Sequence, residues 1–323
     1  MRVLITGAAG FIGAHALRYF ADKHPEWAYV LIDRLNYAAA LDRLAWLQDH
    51  PARAHIVHHD LAAPLPDQVV KRVGELDYVF HFAAETHVDR SLVDPEPFVQ
   101  SNVVGTFNLL EFCRLHQPRL KMFFQVSTDE VYGSALGDEV HKEWAPHRPS
   151  NPYSATKAAA EDLCYAWEHS MGVPVIVTNT MNNVGPMQHA EKFVPRIIRA
   201  LLRDDIITVH GSPGEPGSRK YLHARDHAAA IEFLMEHGRR GWRYNVVGAE
   251  EVTNLEMVNR VAALMGKVPK VRFVDFHATR PGHDRRYALD GGLMARMGWA
   301  PPTPLVDALR ETIEFAKAHP EWL

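Results

Sequence analysis

The residues best suited to chemistry lie in two short stretches, residues 125–133 and residues 152–157. The first contains Thr128, Asp129 and Glu130 directly after a short apolar run, and such a run predicts a buried strand. Ligands bind at the carboxyl ends of strands in open α/β sheets. The pattern therefore predicts a site in which one hydroxyl group and two carboxyl groups lie together.

The second stretch contains Tyr153 and Lys157, which are four residues apart in a helix-like segment and so share one face. A lysine ammonium beside a tyrosine hydroxyl favours the phenolate and lowers the tyrosine pKa below its ordinary value of about 10. Such a phenolate can take a proton from a substrate hydroxyl while a hydride leaves the same carbon. Taken alone, the pair is more typical of a helix surface, but the neighbouring acids and an N-terminal glycine motif favour catalysis.

The N-terminal residues have the pattern of a dinucleotide-binding turn. Residues 2–6 predict a strand, and Gly7, Gly10 and Gly13 stand where a helix begins. Glycines let the backbone turn tightly and approach a pyrophosphate, which the helix N-terminus attracts. A glycine triplet alone is a weak signal, but the strand before it and the helix after it are the expected context.

Asp33 ends the second predicted strand, 20 residues after Gly13. An acid at this place binds the adenosine ribose hydroxyls and disfavours the 2′-phosphate of NADP, so the sequence predicts NAD as the cofactor. Arg34 weakens that prediction, since an arginine can accommodate a 2′-phosphate. The alternative role for Asp33 is a cap at the strand end.

The bulk composition excludes several classes of protein. The chain has 323 residues, 47% hydrophobic and 23% charged, with a net charge of −4, which gives no reason to expect nucleic acid as a partner. No apolar run approaches the length of a membrane span, and no signal-peptide pattern is present. Only Cys113 and Cys164 occur, which predicts a reducing, cytoplasmic location. The 20 histidines are scattered without metal-ligand spacing, so no metal is expected.

The order of predicted elements indicates an α/β fold with a Rossmann-type, doubly wound parallel sheet. Its predicted strands are 2–6, 29–33, 54–58, 77–82, 122–126 and 174–179. We expect residues 1–180 to form the NAD-binding domain and residues 181–323 to form a smaller α/β substrate lobe. Because no linker separates the two, later segments could return to the first domain.

Together these motifs resemble the extended short-chain dehydrogenase/reductases, and within them the nucleotide-sugar 4,6-dehydratases, closest to the dTDP-glucose type. Residues 81–91, 181–186 and 280–287 carry the rest of the resemblance, which covers nearly the whole chain. Val184 stands where the family usually has tyrosine, and Lys220 replaces an acid. These two departures bear on the expected substrate contacts.

The resemblance extends the candidate site. The implied catalytic set is Thr128, Asp129, Glu130, Tyr153 and Lys157. With the glycine motif, the cofactor-binding set is Gly7, Gly10, Phe11, Ile12, Gly13, Asp33, Asp60, Leu61, Ala83, Tyr153 and Lys157. The implied substrate-binding set is Thr86, Asn182, Lys192, Arg219, Asn254, Arg280 and His283. Structural roles are equally open for Glu85, His87 and Asn102.

A dehydration would give each of the two acids a chemical role. Oxidation at sugar C4 makes the C5 proton acidic, and the resemblance makes Glu130 the base that removes it. The C6 hydroxide is a poor leaving group and needs an acid, which we assign to Asp129. A nearby carboxylate and a dry pocket would raise one carboxyl pKa enough to keep its proton. The hydride then returns to C6, so the enzyme is a lyase that regenerates its NAD.

The expected substrate is a nucleotide-diphosphate hexose, first of all dTDP-glucose. UDP-glucose and UDP-N-acetylglucosamine dehydratases remain alternatives, whereas a C4 epimerase has no use for Asp129. A non-catalytic dinucleotide-binding sensor is disfavoured by the intact Thr128, Tyr153 and Lys157. The resemblance also implies a homodimer, in which the helices that begin near Pro95 and Tyr153 pair as a four-helix bundle.

Overall fold

The structure, a computed structural model, describes residues 1–275 and 286–323. Its central feature is a parallel sheet of seven strands in the order β10-β6-β5-β4-β1-β2-β3. These strands are β1 Arg2–Thr6, β2 Ala28–Asp33, β3 Arg53–His58, β4 Tyr78–His81, β5 Met122–Thr128, β6 Val175–Thr180 and β10 Arg243–Val246. The predicted α/β class and doubly wound sheet are therefore confirmed.

Helices cover both faces of the sheet. They are α1 Phe11–Lys23, α2 Asp67–Val73, α3 Val88–Val93, α4 Glu96–Phe98, α5 Gly105–His116, α6 Pro152–Met171, α7 Phe193–Arg203, α8 Ala224–His237, α9 Asn254–Met265, α10 Gly292–Arg296 and α11 Leu305–Ala318. Because side chains alternate along a strand, Ile5 packs in the cluster with helices α1 and α8, whereas Leu4 packs in the cluster with helices α5 and α6.

The helix predicted from residue 95 to residue 115 is interrupted by a π-helical stretch, Val99–Val104, between α4 and α5. Asn102 lies in this stretch, where its amide donates to the carbonyl of Glu85 at 3.1 Å and to the hydroxyl of Thr156 at 2.9 Å. Its amide oxygen accepts the Glu85 N–H at 2.8 Å. Asn102 therefore joins the helix to the segment after β4, one of the two roles left open for it.

Strand β5 is two residues longer than predicted and places the candidate catalytic residues at its end. Ser127 and Thr128 pair with Asn179 and Thr180 of β6, so Thr128 is the last residue of the strand. A short 3₁₀ turn, Asp129–Tyr132, follows at once. The carboxyl edge of the sheet thus presents Thr128 on a fixed backbone and the two acids immediately beyond it.

The later part of the chain adds two small sheets and returns once to the large one. Strands β11 Glu251–Thr253, β9 Ser218–His223 and β7 Asn182–Val184 form one sheet, and β12 Lys270–Val274 pairs with β8 Ile206–His210. A separate apolar cluster lies beneath α7, α9 and α11. The edge strand β10 joins the large sheet, while the division at residue 180 stays a prediction. Within the described ranges, no helix has the length and apolar character to cross a membrane.

Candidate active site

One large cavity opens at the carboxyl edge of the parallel sheet. It is lined by all of the predicted catalytic residues, Thr128, Asp129, Glu130, Tyr153 and Lys157. The predicted cofactor-binding residues also line it, namely Gly7, Gly10, Phe11, Ile12, Gly13, Asp33, Asp60, Leu61 and Ala83. The fold therefore brings the two sets, which are up to 150 residues apart in sequence, into a single site.

The glycine turn fits the diphosphate of a dinucleotide. Gly7 has a φ of +66°, and a β-carbon there would lie 2.7 Å from the backbone nitrogen of Ala83. A β-carbon on Gly13 would overlap the carbonyl of Gly7. Helix α1 then begins after Gly10 without a side-chain cap, so its first N–H groups are left for an anion.

Asp33 is both a structural cap and a cavity residue. Its carboxylate accepts the N–H of Ala9 at 2.9 Å and the N–H of Leu35 at 2.8 Å, which fixes the loop after β2. Each carboxylate oxygen can accept more than one hydrogen bond, so these contacts leave capacity for ribose hydroxyls. The two roles considered for this residue are compatible.

Arg34 is paired with carboxylates, which compete with the 2′-phosphate of NADP for its guanidinium. Its guanidinium lies against the carboxylate of Glu85 and is 3.4 Å from that of Asp60. Asn36 donates to the same Glu85 carboxylate at 2.7 Å. Because both acids already neutralise this arginine, a 2′-phosphate would meet a region of net negative charge that includes Asp33.

Thr128, Asp129 and Tyr153 form a chain of polar groups. The Thr128 hydroxyl donates to Asp129 Oδ1 at 2.9 Å, and Thr128 lies close enough to the side chain of Tyr153 to lower the tyrosine pKa. Asp129 Oδ2 is buried and has no hydrogen-bond partner among the described residues. Burial, and then the charge of Glu130, raises the pKa of Asp129 to about 7. Asp129 can therefore hold a proton near neutrality, as the acid role requires.

Glu130 is positioned by two residues that the sequence reasoning did not assign. The hydroxyl of Tyr287 donates to Glu130 Oε2 at 3.0 Å, and Asn151 donates to the same oxygen at 3.3 Å. The Arg219 guanidinium stacks on the Tyr287 ring, 4.4 Å from its centroid. Tyr287 closes a motif recognised in the sequence, but only the fold places it against the acid.

Lys157 is buried, and its ammonium donates to the carbonyl of Val126 at 2.7 Å. Burial lowers the pKa of Lys157 to about 8. The pKa of Tyr153 is raised well above its ordinary value, by burial first and then by the charge of Glu130. The prediction that Lys157 brings the pKa of Tyr153 below its ordinary value is therefore wrong, because burial is the largest influence and raises it.

A second buried carboxylate, Glu161, lies one helical turn after Lys157. It accepts hydrogen bonds from Asn179 at 2.7 Å and is paired with Arg243 at 3.0 Å and His147 at 3.2 Å. Asn179 also donates to the backbone carbonyl of Thr128 at 3.0 Å. The sequence reasoning missed this network, although its four-residue spacing from Lys157 was a usable signal.

The predicted substrate-binding residues are less closely gathered. Thr86, Asn182 and Lys192 line the cavity, and the Lys192 ammonium lies 3.5 Å from the carbonyl of Thr86. Arg219 and Asn254 are not among the lining residues, and the Asn254 amide donates to the carbonyl of Pro216 at 2.9 Å. The remaining two predictions, Arg280 and His283, lie outside the described residues.

The two departures from the family pattern also have positions in the structure. Val184 is fully buried in the apolar cluster beneath α7, α9 and α11, where a polar group would be costly. Lys220 is partly exposed on β9, beside the buried Arg219. Tyr221, the next residue of β9, lines the cavity.

Comparison with known proteins gives a consistent result over the full length of the chain. A family model described as GDP-mannose 4,6 dehydratase matches residues 4–312. The dTDP-glucose 4,6-dehydratase of Mycolicibacterium smegmatis is 42% identical over 100% of this chain and 95% of its own length. That of Salmonella typhimurium is 36% identical over 100% of this chain and 94% of its own.

Solved structures agree with these relatives. The dTDP-glucose 4,6-dehydratase DesIV of Streptomyces venezuelae, with NAD and TYD bound, has a TM-score of 0.91 and 34% identity, covering 100% of this chain and 98% of that chain. A UDP-glucose 4-epimerase of Thermus thermophilus in complex with NAD has a TM-score of 0.85 and 27% identity, covering 98% and 99%. The fold is thus common to dehydratases and epimerases.

Proposed function

The chain belongs to the GDP-mannose 4,6-dehydratase family, and from this premise we propose that it is an NAD-dependent dTDP-glucose 4,6-dehydratase. The observation that carries the proposal is the acid pair, Asp129 and Glu130, beside Tyr153 in one cavity. An oxidation at C4 alone needs only the tyrosine, whereas the loss of water also needs a base for C5 and an acid for the C6 oxygen. Relatives that are named dTDP-glucose 4,6-dehydratases favour this substrate.

The cofactor fits the residues that are present. The glycine turn takes the diphosphate, Asp33 the adenosine ribose, and Lys157 the nicotinamide side of the cavity. When bound, NAD supplies the acceptor for the hydride from C4 and the donor that returns it to C6. Paired carboxylates around Arg34 favour this dinucleotide over its 2′-phosphorylated form.

The chain's own groups then move three protons. Tyr153 accepts the proton of the C4 hydroxyl as C4 becomes a ketone; it must do so as the phenolate, which the positive charge of bound NAD would favour against the burial that raises its pKa. Glu130 removes the C5 proton, which the ketone has made acidic, and the C5–C6 double bond forms as the C6–O bond breaks. Asp129 donates its proton to the departing C6 oxygen, so that water leaves. Glu130 finally returns a proton to C5 when the hydride reaches C6.

The polar chain between Tyr153 and Asp129 closes the proton balance. Each turnover leaves one proton on Tyr153 and takes one from Asp129. Thr128 neighbours both groups: its hydroxyl donates to Asp129 at 2.9 Å, and it is close enough to Tyr153 to lower the tyrosine pKa. A proton passed from Tyr153 through Thr128 to Asp129 restores the starting state without net exchange with solvent.

The test of the substrate is a screen of dTDP-glucose, UDP-glucose and UDP-N-acetylglucosamine with the purified protein. Mass spectrometry should show loss of water from dTDP-glucose, and the product should give the alkaline chromophore of a 4-keto sugar. Loss of water from a UDP-sugar alone would replace the nucleotide assignment. A change of configuration without loss of water would replace the dehydratase by an epimerase.

Assembly and location are further proposals. Val99 and Phe107, on the helical segment from residue 96 to residue 116, are 42% and 40% exposed, and the Phe107 ring packs edge-on against Trp167 of α6 at 5.7 Å. An exposed apolar face on this pair of helices supports the homodimer in which they form a bundle. Light scattering at micromolar concentration should give twice the 36.5 kDa chain mass. A cytoplasmic location stays a prediction from the two cysteines.

A further inference from the structure

A buried arginine outside the proposed chemistry donates its hydrogen bonds, among the described residues, to backbone carbonyls at the edge of the cavity. Arg43 lies in the 3₁₀ segment Leu41–Asp49 and is 2% exposed. Its guanidinium donates to the carbonyls of Ala9 and Ala38 at 2.8 Å each. It donates twice more to the carbonyl of Met187, at 3.0 and 3.2 Å. Four of its five N–H donors are therefore used on three carbonyls.

These three carbonyls belong to three separate walls of the cavity. Ala9 lies in the glycine turn, Ala38 in the loop after β2, and Met187 in the segment after β7. Each wall contributes lining residues, among them Gly10, Asn36, Ala38, Gln188, His189 and Glu191. Arg43 lines the cavity as well. One side chain thus joins the phosphate turn, the ribose loop and a segment from the later part of the chain.

The contacts hold positions that the backbone would not keep by itself. Met187 has a φ of +61°, a conformation that non-glycine residues rarely adopt, and Arg43 fixes its carbonyl. The Ala9 peptide is held on both sides, its N–H by Asp33 at 2.9 Å and its carbonyl by Arg43. Burial lowers the pKa of Arg43 to about 10, which leaves it charged at neutral pH. The Trp322 ring lies 4.9 Å from the guanidinium and covers it.

We propose that Arg43 is a positioning residue for cofactor retention, which slows the release of NAD by tying three cavity walls together. The inference rests on the proposed function, in which NAD ends each turnover unchanged, so that its release is not a step of the reaction. In this proposal NAD leaves as the ribose loop and the later segment separate, and Arg43 opposes that separation because it bonds to both. A ring contact between Tyr37 and His189, 5.8 Å apart, joins the same two walls.

The test measures release directly and needs no sugar. The holoenzyme is loaded with radiolabelled NAD, chased with excess unlabelled NAD, and sampled by rapid gel filtration. Arg43→Met, which keeps length but no donors, should release NAD at least about tenfold faster than the wild type. Arg43→Lys should be intermediate, since one ammonium cannot reach three carbonyls. Trp322→Leu keeps all four hydrogen bonds and should release NAD at the wild-type rate.

Steady-state kinetics with varied NAD provide a second measurement, which a purely structural role of Arg43 would not change in the same way. Arg43→Met should raise the NAD concentration needed for half-maximal rate much more than it lowers kcat. Wild-type release from Arg43→Met, or an equal effect in Trp322→Leu, would overturn the proposal. If Arg43→Met does not fold, Arg43→Lys decides, and a wild-type release rate there contradicts it. The pulse-chase result does not depend on whether dTDP-glucose is turned over. Failure of the retention proposal can therefore be distinguished from failure of the proposed dehydratase function.

Discussion

The two ends of the cavity are built in different ways. At the cofactor end, the predicted residues other than Tyr153 and Lys157 of α6 lie at or shortly after the ends of β1, β2, β3 and β4, and all of them line the cavity. At the substrate end, Thr86 follows β4 but the other residues come from separate later segments, and Arg219 and Asn254 lie outside the lining. A binding site formed by adjacent turns of one sheet can be predicted from local sequence. A binding site formed by dispersed segments depends on how those segments pack together.

The proposed catalytic residues lie between these two ends. Thr128 is fixed by strand pairing, and Tyr153 by a helix whose N-cap, Asn151, also contacts Glu130. The proposed catalytic groups are therefore held by the same sheet and helices that carry the predicted cofactor residues, whereas the predicted sugar contacts depend on the packing of later segments. Variants at the two ends should differ in effect accordingly.

The largest effect should come from the residue where both ends meet. Tyr153→Phe keeps the ring packing but removes the acceptor for the C4 proton, so kcat should fall by about 10²- to 10⁴-fold. NAD binding, measured by isothermal titration, should change little because the cavity wall keeps its shape. A kcat within a factor of about two of the wild type would remove Tyr153 from the mechanism.

The next effect separates elimination from oxidation. Asp129→Asn keeps the shape of the acid but cannot protonate the C6 oxygen, and Glu130→Gln removes the base for C5. Dehydration should fall by about 10²-fold or more in each variant, while oxidation at C4 survives better. The absorbance of reduced nicotinamide should therefore accumulate on mixing with substrate. Normal turnover in both variants would make the two acids turn residues.

The same substitution has a consequence for stability. The pKa of Asp129 is raised to about 7, so the folded protein holds its proton more tightly than the unfolded chain does. Folding stability therefore falls as the pH rises from about 4 to about 7, where the unfolded chain has already lost this proton. Asp129→Asn should raise the melting temperature at pH 8 and leave it nearly unchanged at pH 4. An equal change at both pH values would contradict the raised pKa.

A smaller effect is expected at the cofactor end. Glu85→Gln removes one of the two negative charges that pair with Arg34, leaving the guanidinium freer to meet a 2′-phosphate. The ratio of the NADP and NAD dissociation constants should fall by about tenfold, which corresponds to about 1.4 kcal/mol. Asp60→Asn, which changes the longer and more exposed contact, serves as the matched comparison and should have less effect. No change in either variant would leave Asp33 as the sole determinant.

The smallest effect is expected at the substrate end. Asn254 donates to the carbonyl of Pro216 and does not line the cavity, so Asn254→Ala should raise the KM for the nucleotide sugar by less than about threefold. Asn182→Ala, from the same predicted set but within the lining, should raise it more. An equal or larger effect at Asn254 would show that the sugar reaches further than the cavity.

The sequence allowed much of this to be predicted, and the failures have physical reasons. The strands, the glycine turn and the grouping of Tyr153 with Asp129 follow from local patterns. The network of Glu161 was missed because its partners, Asn179 and Arg243, are brought to it by strand order. The pKa of Tyr153 was wrongly predicted because pairwise reasoning from Lys157 omitted burial. Arg43 gave no sequence signal, since backbone carbonyls carry none.

The most direct test of the central claim follows one atom through the reaction. dTDP-glucose deuterated at C4 is converted by the wild-type enzyme, and the product is analysed for the position of the label. Because the hydride removed from C4 is returned to C6 of the same bound sugar, the deuterium should appear at C6 of the same molecule. A mixture of labelled and unlabelled substrate should give no crossover. Label retained at C4, or lost to water, would contradict the proposed dehydratase mechanism.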